Sequence, residues 1–210
     1  MTTLVVQKLL EVANALDPPV RKRKANHSDV IDTIMGFLKA GMPWRSILQQ
    51  NASYHTYYKR FNRWMCLGVF KRVWSYMLEY YSNRKLETDH KWFKELFIDS
   101  TMIKNIGGVD GLGKNPSDRG RMATKLSVIC DWDEVPISCS FYPANQNDIT
   151  TVMQTVDKIA CKIKQDNRSV VTIAGDKAYT SKHVAEVLRG KNIRLIAPVR
   201  CNARNKEHKT

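Results

Sequence analysis

Leu96-Phe97-Ile98-Asp99-Ser100-Thr101 is a short apolar run closed by a carboxylate. A β-prone run that ends on an acid reads as a buried strand carrying an acidic side chain out at its end. The pattern returns at Val170-Val171-Thr172-Ile173-Ala174-Gly175-Asp176-Lys177. Two such strands side by side would bring Asp99 and Asp176 to one point. Convergent carboxylate oxygens suit a hard divalent cation, Mg²⁺ (or Mn²⁺). Asp99 and Asp176 are therefore the candidate catalytic and metal-binding pair. Taken singly, each is more simply a cap or turn residue; the pairing carries the metal reading.

The sequence around these two runs completes a sheet. Residues 107–120 are a glycine-rich loop. Residues 125–129 and 136–141 read as strands joined through Asp131-Trp132-Asp133-Glu134. Residues 148–163 have helical spacing with Ile149, Val152, Val156, Ile159 and Ile163 inward, residues 181–189 form a second helix, and residues 193–197 a last strand. The order is β-β-β-α-β-α-β, an antiparallel meander followed by alternating units. Acids on the first and fourth strands of such an order are what the ribonuclease-H-like fold provides. Two-metal phosphoryl transfer asks for little beyond carboxylates so placed.

The amino-terminal part is helical. Leu4, Val5, Leu9, Val12 and Leu16 mark a helix stopped by Asp17-Pro18-Pro19, and Arg21-Lys22-Arg23-Lys24 follows as a basic linker, a DNA-contacting arm or a targeting signal. Ser28 is placed to cap a helix with Ile31, Ile34, Phe37 and Leu38 on one face, ended by Gly41 and Pro43, with a short turn over 44–48. Ser53 opens a third helix with Tyr57, Tyr58, Phe61, Trp64 and Met65 at core spacing and Lys59, Arg60 and Arg63 on the other face. After Gly68 a fourth helix turns Val69, Val73, Trp74, Met77, Leu78 and Tyr81 inward, and residues 82–91 read as a polar linker. The expected organisation is an amino-terminal helix and basic linker (1–27), a helix-turn-helix-like DNA-binding domain (28–82) and a mixed-sheet α/β domain (92–210).

Charge names the partner class. The chain carries 34 basic and 20 acidic side chains, a net charge of +14 and a pI near 9.7. Residues 1–90 hold 14 basic and 7 acidic groups and residues 91–210 hold 20 and 13, so no tail accounts for the excess. A nucleic acid such as double-stranded DNA, or an anionic surface, is the expected partner. The five cysteines form no CxxC pair and lie beside no histidine cluster, which argues against a zinc site and for a reducing, cytoplasmic location. Cys130 and Cys139 are expected to face each other across a hairpin. No stretch has the length and apolarity of a membrane span.

Several of these segments together resemble a DDE transposase of bacterial insertion sequences, of the insertion-sequence-five type. Residues 34–44 (IMGFLKAGMPW) are similar to that family's apolar helix followed by Gly-x-Pro-Trp-Arg, and residues 57–70 (YYKRFNRWMCLGVF) to its Tyr-x-Arg-Phe-x-x-Trp…Gly-Val-Phe segment. Ile98-Asp99-Ser100-Thr101 looks like its Asp-Ser-Thr, Arg119-Gly120…Thr124-Lys125 like its Arg-Gly…Thr-Lys, and Asp148 like the acid after its third strand. Asp176-Lys177-Ala178-Tyr179 resembles its Asp-Lys-Gly-Tyr, and Ile196-Ala197-Pro198-Val199-Arg200 its Ile-x-Pro-x-Arg strand. The resemblance implies a ribonuclease-H-like catalytic domain, DNA cleavage and strand transfer at transposon ends, terminal inverted repeats and target DNA as partners, nucleoid association, and homodimerisation. Arg119, Arg121, Lys125 and Lys177 join Lys59, Arg60 and Arg63 as candidate DNA contacts. The family's third acid, a Glu on a helix beyond the Pro-x-Arg strand, has no counterpart in the ten residues after Arg200; the surroundings of Glu207 do not match. The chain is thus expected to be a truncated or frameshifted transposase, with an inactive remnant that binds or represses at transposon DNA as the alternative.

Overall fold

A computed structural model of the chain describes residues 2–18, 25–47, 52–88, 93–159 and 170–198. The chain divides into two compact units, Met1–Asn83 and Arg84–Thr210.

The first unit is built from α1 (Thr2–Leu16), α2 (His27–Ala40), a 3₁₀ turn at Trp44–Ser46, α3 (Tyr54–Cys66) and α4 (Val69–Thr88). Leu9, Val12 and Ala13 of α1 share one core with Val30, Ile31, Ile34 and Phe37 of α2, Tyr57 and Trp64 of α3, and Val69 and Val73 of α4. Helix α1 is thus part of this core and does not stand apart from residues 28–82. Asn26, not Ser28, caps α2: its side chain accepts from the Asp29 amide, and Gly41 at φ +63° closes the other end in the left-handed conformation glycine tolerates. Ser28 lies inside the helix and is exposed. Leu38, Tyr58, Met65 and Trp74, expected inward, are 53%, 43%, 54% and 41% exposed. Residues 82–88 continue α4 where a linker was expected; Ser82 is buried and no helix breaker intervenes. The basic stretch 21–24 lies outside the described residues.

The second unit holds β1 (Glu95–Lys104), β2 (Gly113–Lys114), β3 (Met122–Cys130), β4 (Pro136–Pro143), α5 (Asp148–Asp157), β5 (Val171–Ala174), α6 (Lys182–Arg189) and β6 (Ile193–Ile196). Strand β3 pairs antiparallel with β1 on one side and with β4 and β2; β1 pairs parallel with β5, and β5 parallel with β6. One face is the core. Ala123, Lys125, Ser127 and Ile129 alternate into it from β3, Leu96 and Ile98 from β1, and Val171 and Ile173 from β5, with Thr151, Val152, Thr155 and Val156 of α5 buried as well. The contact is unusually rich in hydroxyls: Thr151 and Thr155 each donate to Ser127 Oγ at 3.2 Å, Ser138 donates to the Thr155 carbonyl, and Tyr142 to the Thr151 carbonyl.

Two expectations are corrected here. Strand β1 does not end at Asp99; it continues to Lys104, with Asp99 opposite Val128 in its middle. Cys130 and Cys139 do not face each other: Cys139 lies opposite Val128, and a register shift sets Cys130 against Pro136. Both thiols are free. Burial, then the neighbouring carboxylates of Asp131, Glu134 and Asp99, pushes the Cys130 thiol above its ordinary pKa, which keeps it protonated and unreactive. No helix among the described residues is long and apolar enough to cross a membrane.

Candidate active site

The parallel pairing of β1 and β5 fixes the site. Phe97 lies beside Ala174 in register. Asp99 is two residues beyond Phe97, and Asp176 two beyond Ala174, so the two acids stand at matching positions just past the paired stretch of β1 and β5. Both are exposed. Asp176 leaves β5 as the N-cap of a 3₁₀ turn, Lys177–Tyr179, and its Oδ1 accepts from the Ala178 amide at 2.7 Å. That bond orients the carboxylate and leaves Oδ2 without that constraint.

The turn is held from behind by Tyr179, which is 1% exposed. A Cβ on Gly175 would lie 2.8 Å from Tyr179 Cδ2 and 2.9 Å from Ile98 Cγ2. Glycine is therefore required for the ring to close on the strand. Burial pushes the Tyr179 phenol up to about 12; the Ser100 hydroxyl opposes this, and the charges of Asp148, Asp99 and Asp176 add to it. The phenol thus stays neutral, and all three carboxylates lie within electrostatic reach of it.

Asp148 is the residue whose place sequence reasoning left without a role. It opens α5, and its Oδ1 accepts from Ser100 Oγ at 2.5 Å and from Lys125 Nζ at 2.6 Å. Lys125 also donates to the Gln146 carbonyl. Burial alone would raise the Asp148 carboxyl, but the hydrogen bonds from Lys125 and Ser100 together with the Lys125 charge outweigh it and hold the group below its usual 3.8. Lys125, expected to contact phosphate, has its side chain 4% exposed and paired inside the fold. Asp148, neutralised by Lys125, ties Ser100, the neighbour of Asp99, to α5.

The other predicted cations are dispersed. Lys177 is exposed beside Asp176. Arg119 is exposed at φ +50° in a turn closed by Asn115 and Asp118, and Arg121 is exposed with Asp118 3.8 Å away. In the helical unit Lys59 is exposed, whereas Arg60 and Arg63 turn to Asp17, at 3.7 and 2.9 Å. Asp17 is 1% exposed and also accepts from Trp64 Nε1 at 3.2 Å. Arg60 and Arg63 thus balance a buried charge, a role Asp17 did not announce from 43 or more residues away. Among the described residues, no group of three or more His, Cys, Asp or Glu side chains is placed to hold a metal ion.

Setting aside the two-residue β2, three antiparallel strands (β1, β3, β4) are followed by two parallel to β1 (β5, β6), with an acid on β1 and another just after β5, the order of a ribonuclease-H-like domain. Residues 93–209 match the family model described as "Transposase DDE domain". The chain belongs to that family. Residues 4–74 match the model described as "Putative transposase of IS4/5 family". A comparison with curated proteins finds no match. Solved structures that resemble the chain include a piggyBac transposase synaptic complex with hairpin DNA (14% identity, 99% of this chain and 45% of that one, TM-score 0.45). They also include the catalytic domain of Mos1 mariner transposase (15%, 60% and 58%, 0.36) and a pre-cleavage Mos1 transpososome (10%, 87% and 62%, 0.35). The chain spans about half to three-fifths of the length of these proteins.

Proposed function

We propose that this chain acts on double-stranded DNA as a transposase, cutting at the ends of an insertion sequence and joining the freed strands to a target. The reading is supported by the register of β1 and β5, which sets Asp99 and Asp176 each two residues past the pair Phe97 and Ala174, in a chain of the DDE family. Hydrolysis of a phosphodiester frees a 3′ hydroxyl; that hydroxyl then attacks a target phosphodiester and displaces the target's own 3′ oxygen. Asp99 and the open oxygen of Asp176 are hard donors that fit Mg²⁺ or Mn²⁺. Such an ion, when bound, polarises the phosphoryl oxygen and acidifies water. The Ala178 amide fixes the aim of Asp176, the Ser100–Asp148–Lys125 cluster fixes the strand that carries Asp99, and Lys177 supplies positive charge beside the acids. Terminal inverted repeats and target DNA are the proposed partners, in a homodimer.

Among the described residues no third carboxylate joins Asp99 and Asp176 in a group placed to hold a metal ion, which favours a second reading, a chain that binds transposon DNA without cutting it. A cleavage assay in Mg²⁺ with a duplex carrying the DNA that flanks the coding region separates the two. Cutting that Asp99→Ala reduces by at least about a hundredfold supports the transposase. Retained, salt-sensitive binding with no cutting supports the second reading.

A further inference from the structure

The loop between β1 and β2 carries a built feature that the paired acids do not use. Asn105 folds it locally: its Oδ1 accepts from the amides of Gly107 and Gly108 at 3.0 and 2.8 Å, and its Nδ2 donates to the Gly108 carbonyl at 3.0 Å. The Asn105 amide is tied to the Met122 carbonyl of β3. This turn displays Ile106 and Val109 at 101% and 88% exposure, the highest of any large apolar side chains among the described residues. Both are β-branched and stiff at χ1. Single exposed aliphatics need no explanation, but two on one internally bonded turn do.

Cations surround the base of the turn. Pairing sets Lys104 against Ala123 and Lys114 against Met122, and Arg121 precedes Met122 in the chain. All three are exposed. Lys104, Lys114 and Arg121 outnumber the nearby acids Asp110 and Asp118, and an apolar tip with cations at its base is how proteins wedge a DNA base step while gripping the flanking phosphates. Along β1, Lys104 lies five residues from Asp99, about 17 Å at strand rise. The tip is thus within one helical turn of DNA, about 34 Å, of the acids.

We propose that the Asn105-built turn is a DNA wedge: Ile106 and Val109 enter a base step of the duplex while Lys104, Lys114 and Arg121 hold its phosphates. The proposal rests on the reading that the chain binds duplex DNA.

The test uses the full chain and 40-base-pair duplexes of mixed sequence with 2-aminopurine at successive positions, in about 50 mM salt. Unstacking by the wedge raises 2-aminopurine fluorescence severalfold at saturation. Ile106→Ser with Val109→Ser removes the rise and weakens binding about tenfold. Ile106→Leu with Val109→Leu keeps the rise. Lys114→Gln with Arg121→Gln weakens binding and flattens its salt dependence. Binding by the wild type with no fluorescence rise, or an unchanged rise in the serine variant, overturns the wedge and leaves the DNA reading standing. No binding to any duplex overturns both. Loss of the wild type to phosphatidylserine vesicles through Ile106 and Val109, without a rise on DNA, overturns the wedge in favour of a membrane surface.

Discussion

Lys125 is 3% exposed, and its ammonium is spent on Asp148 Oδ1 and the Gln146 carbonyl. Removing one partner of a buried pair leaves the other charge uncompensated, which costs about 3–5 kcal/mol when both are fully buried. Asp148 keeps 27% of its side chain in water, so Lys125→Met is expected to cost about 2–3 kcal/mol in urea denaturation at pH 7. Adding Asp148→Asn should return part of that loss. The pH dependence has a definite sign. Asp148 has its folded pKa depressed, so its contribution is fully present above the unfolded value near 3.8 and is lost as pH falls through the lower folded value. The deficit of Lys125→Met should therefore shrink as pH falls below the usual 3.8 and on through the lower folded value; a constant deficit would mean that the pair does not carry it. Strand alternation already sets Lys125 on the side of Ser127 and Ile129. Its partner Asp148, 23 residues away, is what the sequence does not display. The same holds for Arg60 and Arg63, whose placement opposite the helix's aromatic stripe reads as a solvated basic face until Asp17 is seen beneath them.

The turn that follows β5 is the element on which the acid pair depends. Gly175 has no room for a Cβ, because the atoms it would meet, Tyr179 Cδ2 and Ile98 Cγ2, belong to residues 1% and 3% exposed. Gly175→Ala is expected to destabilise the chain by about 1–3 kcal/mol, the usual cost of overpacking, and to loosen the bond from the Ala178 amide to Asp176. Faster tryptic cleavage after Lys177 than in the wild type is the accompanying readout; equal cleavage and an unchanged urea midpoint would show that the ring can yield. Elements of this kind were largely legible. The longer strands of the second unit, its two helices and their order follow from apolar runs, turns and caps; the two-residue β2 lies in what reads as a glycine-rich loop, and α5 ends at Asp157 rather than running to 163, residues 160–163 lying outside the described residues. What misled was equating the end of an apolar run with the end of a strand. Ser100 to Lys104 stay in the ladder through backbone pairing to residues 123–127, although, Met102 apart, their side chains are polar or exposed. Apolar pattern reports burial, and hydrogen-bonded pairing extends beyond it. For the same reason the polar residues 82–88 remain helical, since a helix needs no apolar residue in every turn.

For the whole molecule the governing quantity is a net charge of +14 shared by both halves of the chain. A duplex bound by such a surface releases counterions, so log affinity falls linearly with log salt at a slope of about −0.9 per phosphate neutralised. If about six phosphates are engaged, affinity should drop by roughly a thousandfold between about 50 and 200 mM salt. The slope also sorts the cations. Lys59, Arg119 and Lys177 are exposed, so replacing any one of them by Gln should reduce the slope by about one if it meets a phosphate. Arg60 and Lys125 are held by Asp17 and Asp148. Their Gln variants should leave the slope unchanged and lower the urea midpoint instead. Salt titrations of these five variants on one duplex, read beside their unfolding curves, separate charge that meets DNA from charge that holds the fold. A slope reduced by Lys125→Gln with no loss of stability would return that lysine to the DNA surface, and the buried pair with Asp148 would then have to open on binding.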